Sequence, residues 1–88
     1  MALFVVMSFS DDANVKAALD EHYSEKYLRL GAGQYVVAGR GSTAIELSNE
    51  LGISTGAKGS CMVALISGYW GFGSKNIWDW MATKANTP

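Results

Sequence analysis

Three groups of side chains in this chain have the types and spacing to do chemistry. Asp11 and Asp12 are adjacent carboxylates. Such a pair suits Mg²⁺, which binds through one or two carboxylates and the phosphates of its substrate. The same residues also fit a helix start, where short acidic side chains accept from free backbone amides. Arg40, Gly41, Ser42 and Thr43 join a cation and a glycine turn to a second helix start. That combination can hold a phosphate or carboxylate. It lacks the lysine and the glycine spacing of a P-loop, and an ordinary glycine turn is the simpler reading. Tyr69, Trp70 and Lys75, within YWGFGSK, set aromatic rings beside a cation. Exposed, they could stack on bases or grip a peptide. The simpler reading folds Trp70 and Phe72 back into the core.

No catalytic residue emerges from the rest. His22 is the only histidine and has no second histidine or cysteine at ligand spacing, so it reads as a surface or boundary residue. Cys61 is the only cysteine and sits among apolar neighbours, where it reads as a small buried hydrophobe. A lone cysteine forms no internal disulfide, and the cytosol is the expected compartment. There is no CxxC and no Ser/His/Asp or Cys/His set to support hydrolase or redox chemistry.

These groups need elements to position them. The 88 residues allow one domain, 1–88, and a domain of that size is marginal unless it associates. Apolar residues make up 49%, too many for disorder. No apolar run approaches the ~20 residues of a membrane helix, so no membrane partner is expected. The start, MALFVVMSFSDD, lacks the basic region of a signal peptide and reads as a strand. The net charge is −1 and the seven basic residues are scattered, so no basic stripe marks a nucleic-acid surface.

Residues 2–9 alternate as a strand with both faces apolar, which predicts a central strand. Residues 12–23 place Val15, Ala18, Leu19 and Tyr23 on one helical stripe. Residues 26–30 and 34–39 read as strands joined through Gly31-Ala32-Gly33. Thr43 and Glu46 fit a capping box for a second helix, and Gly52 suits its end. Residues 61–66 are again apolar on both faces, so this strand too is expected to be covered on both sides. Ser74 or Asn76 can cap a last helix over 77–84, about two turns long.

The fold class is therefore α+β, a βαββαβ sandwich of ferredoxin-like type with an additional C-terminal helix. Two helices cover one face of such a sheet. The other face needs the last helix or a second subunit, which predicts a homodimer with the open face or the edge of the last strand contributing.

FVVMSFSDD, QYVVAGRGSTAIELSNELG and SCMVALISGYWG together span most of the chain. On these stretches it resembles the small ferredoxin-like proteins of the Cas2 and SinR-like type. The resemblance implies a dimer. It also implies, for some members, nucleic-acid cleavage by a metal held on aspartates after strand one, here Asp11 and Asp12. The tyrosine-aspartate strand ending of that family is absent. The expected function is accordingly a small non-enzymatic interaction or regulatory protein acting as a dimer, without a cofactor. A protein partner is compatible with it, and nucleic-acid association is left open. The alternatives are a nuclease using Mg²⁺ at Asp11 and Asp12, and an anion or small-ligand module using Arg40 to Thr43.

Overall fold

The computed structural model describes residues 1–10 and 12–86. The elements follow in the order β1 (Ala2–Ser8), α1 (Asp12–His22), β2 (Tyr27–Gly31), β3 (Gln34–Gly39), α2 (Ala44–Glu50), β4 (Cys61–Leu65) and α3 (Lys75–Ala85). The four strands form one antiparallel sheet in the order β2-β3-β1-β4. No helix among the described residues is long and apolar enough to cross a membrane.

Strand alternation divides the core in two. Phe4 and Val6 of β1 and Tyr35 and Val37 of β3 point to one face. There they pack with Val15, Ala18, Leu19 and Tyr23 from the first helical segment and Leu47, Leu51 and Ile53 from the second. Leu3 of β1 and Val36 and Ala38 of β3 point to the other face, where Met81 of α3 buries against them. Ile77, Trp78 and Trp80 flank that contact. The N-terminal amine of Met1 donates to the Lys84 and Ala85 carbonyls at 3.4 and 3.5 Å, tying the end of α3 to the start of β1.

Several local signals act as their chemistry dictates. Gly33 closes the β2–β3 hairpin at φ +71°, and a Cβ there would meet the Ser8 carbonyl oxygen at 2.5 Å. Thr43 caps α2 by accepting from the Glu46 amide at 3.2 Å, and Gly52 ends that segment at φ +73°.

The last strand and the last helix differ from the sequence reading. β1 is central and β4 lies at the edge beside it, but β4 is not covered on both faces as expected: Met62 and Leu65 are each about half exposed. Two-sided apolar alternation marks a strand that can be covered on both faces; it does not say that an element of the same chain reaches each of them. α3 runs from Lys75 to Ala85, two residues earlier and one later than expected. At 1.5 Å per residue that is about three turns, enough to lie over β1, β2 and β3.

Candidate functional site

Asp12 opens α1, where a carboxylate favours the positive end of the helix. Its two oxygens are both engaged. Oδ1 accepts from the Tyr35 hydroxyl and Oδ2 from the Arg29 guanidinium at 2.6 Å. The Tyr35 hydrogen bond, then Arg29, hold the Asp12 carboxyl below its ordinary range. Arg29 and Tyr35 come from neighbouring strands in register, so the hairpin itself delivers both donors to the helix start. Asp11, the other half of the sequence pair, lies outside the described residues. Among the described residues, no group of three or more His, Cys, Asp or Glu side chains could hold a metal ion.

The arginine loop is occupied from within. Arg40 lies over the Tyr23 ring, 4.2 Å from its centroid. Both terminal nitrogens of its guanidinium donate to the His22 carbonyl at 3.2 Å, and one also reaches Glu50 Oε2 at 3.2 Å. Arg40 thus closes the C-terminal end of α1 and bridges it to α2. The donors of Ser42 and Thr43 point at Glu46: the Ser42 amide reaches Oε1 at 3.3 Å and the Thr43 hydroxyl at 3.0 Å. Gly41 leaves room for that approach, since a Cβ would come within 2.8 Å of Glu46 Oε2. The anion this loop holds is a carboxylate of its own chain.

The aromatic loop behaves differently. Trp70 and Phe72 are fully exposed, so the return of these rings to the core does not occur. Three glycines in Gly68-Tyr69-Trp70-Gly71-Phe72-Gly73 leave the loop few Cβ atoms with which to pack. Tyr69 is the anchor, stacked on Trp78 of α3 with ring centroids 6.1 Å apart and planes 9° from parallel. Tyr69, Trp70, Gly71, Trp78, Asp79 and Ala82 line an open cleft of about 400 Å³. Lys75 is paired with Asp79 at 2.7 Å, one turn along α3, rather than standing free beside the rings.

The structure therefore brings Tyr69 and Trp70 together with Trp78 and Asp79, and keeps them apart from the engaged groups at Asp12 and at Arg40. Sequence reasoning missed Glu50 and Tyr23 as the partners of Arg40. The signal was present, because residues 23, 40 and 50 each close an element end, but nothing in the spacing says that those ends converge. It also missed Ile45, which is largely exposed on α2 and shares a shallow pocket with Cys61 and Val63 of β4. No charged residue occurs between Lys58 and Lys75. That uncharged stretch carries four exposed large apolar side chains, Met62 and Leu65 on the two faces of β4 and Trp70 and Phe72 in the loop that follows it.

No family model, no curated protein and no solved structure matches this chain.

Proposed function

We propose that this is a small non-enzymatic interaction protein of the ferredoxin-like type, with α3 added, acting as a homodimer. The element order through β4 and the strand order β2-β3-β1-β4 support the fold reading. One observation carries the functional reading. Asp12, Arg40, Ser42, Thr43 and Lys75 spend their hydrogen bonds inside the chain, whereas large apolar side chains stand in water along the uncharged β4 edge and its following loop. Contiguous exposed apolar surface on a small domain marks an interaction site.

The test pairs two measurements. Single- and double-stranded nucleic acid incubated with Mg²⁺ should remain intact. Serine at both Trp70 and Phe72 should weaken self-association in sedimentation equilibrium without changing the circular dichroism spectrum. Metal-dependent cleavage abolished by Asp12→Ala, with the fold retained, would replace this reading by the nuclease one.

A further inference from the structure

We infer that the partner is a second copy of this chain, joined β4 to β4 in antiparallel fashion about Val63, so that two four-stranded sheets become one of eight strands. This rests on the interaction reading above and specifies its geometry.

The hydrogen-bond alternation fixes which way β4 points its backbone. Phe9 N–H donates to the Ser60 carbonyl and Ile66 N–H to the Leu3 carbonyl, at 2.8 and 2.9 Å. In an antiparallel pair the bonded residues alternate with unbonded ones. Given the register Val5 with Ala64 and Met7 with Met62, the even-numbered residues of β4 turn their main chain toward β1. Val63 and Leu65 turn theirs outward, to the open edge. A two-fold axis through Val63 sets the outward groups of one copy against those of the other. Val63 faces Val63 of the second copy, and Met62 faces its Ala64, large against small.

The two edges of the sheet are not equivalent. β2 carries Arg29 and an irregular register between Arg29 and Gly31, both of which discourage strand addition. β4 pairs with β1 without a register shift and contains no charge and no proline. The apolar side chains left in water flank β4 on both faces. Ile45 of α2 and Leu65 lie on the helix-covered side, and Met62 lies on the side of α3. An axis perpendicular to the sheet keeps each face on its own side. It therefore brings the two α2 helices toward one another on one face and both aromatic loops to the other.

Ile45, Met62, Leu65 and the open backbone edge of the five-residue strand β4 are the exposed groups that this seam would cover.

The experiment is cross-linking through a cysteine at the axis. In a Cys61→Ser background, Val63→Cys places two thiols on directly opposed residues. Their Cα atoms would lie about 5.5 Å apart, within disulfide reach. Mild oxidation should give a disulfide-linked dimer on a non-reducing gel, and Leu30→Cys at the other edge should not. Met62→Lys serves as the second variant, because its half-exposed position tolerates a charge in the folded monomer. It should abolish the dimer with the circular dichroism spectrum unchanged, whereas Leu30→Lys should retain it. A dimeric wild type whose Val63→Cys variant fails to cross-link and whose Met62→Lys variant stays dimeric would overturn the β4 seam while leaving the interaction reading in place. A wild type that is monomeric at every concentration would overturn both.

Discussion

The Tyr23 hydroxyl donates to Glu50 Oε1 at 2.8 Å while the ring beneath it carries the Arg40 guanidinium. With the Arg40 bridge from His22 to Glu50, that contact joins the end of α1 to the end of α2. Tyr23 is buried and Glu50 about one-third exposed, so the hydrogen bond is only partly screened by water. Tyr23→Phe should lower unfolding free energy by about 1.5 kcal/mol, the low end for a bond to a charged group. Urea denaturation measures it. Arg40→Lys should also destabilise, because lysine keeps the charge but loses the forked donation to His22. Were Arg40→Ala neutral for stability, the structural role given to this residue would be wrong.

Acid should unfold the protein through three engaged carboxylates. Asp12 is held down by Tyr35 and then Arg29, Asp20 by Tyr27 and then Lys16, and Glu46 by Thr43 and then Ser42. Each folded-state value lies below the ordinary 3.8 for Asp or 4.5 for Glu. Their contribution is therefore fully present above those ordinary values and is lost as pH falls through the lowered ones. Melting temperature should be insensitive to these groups near neutrality and drop below about pH 4. Asp12→Asn should make that acid limb shallower.

Glycines at close approaches should differ sharply from glycines in open space. A Cβ on Gly39 would meet Phe4 Cε1 at 2.6 Å inside the core, whereas one on Gly68 meets nothing within 4 Å. Gly39→Ala should cost about 1–3 kcal/mol, the usual range for overpacking. Gly68→Ala should fall within about 0.5 kcal/mol of wild type, as surface substitutions do. Thermal melts of the two variants side by side make the comparison.

The cap of α2 is a fourth stability test. Thr43→Ala removes the hydroxyl that accepts from the Glu46 amide and donates to the Glu46 carboxylate. A loss of about 1 kcal/mol is expected, with Thr43→Ser recovering most of it.

Much of the fold was legible because local chemistry and burial agree. Val15, Ala18, Leu19 and Tyr23 recur at helical spacing, and all four are buried on one side of the sheet. Thr43 and Glu46 cap each other, and Gly33 and Gly52 take the positive φ that their turns require. The exposure of β4 was not legible, since Met62 and Leu65 alternate as they would in a strand covered on both faces. The site was legible only as a set of candidates. Arg40 beside a glycine turn has the chemistry of an anion site, and only the convergence of Tyr23 and Glu50 shows its charge to be used. Trp70 and Phe72 are residue types that favour cores, and their exposure follows from the glycines around them.

The mass of the intact chain in solution tests the central claim most directly. Light scattering on wild-type protein at tens of micromolar should return twice the 9.4 kDa of one chain. It should fall toward the single-chain value when serine replaces both Trp70 and Phe72. A wild-type mass of 9.4 kDa throughout a concentration series would contradict the account.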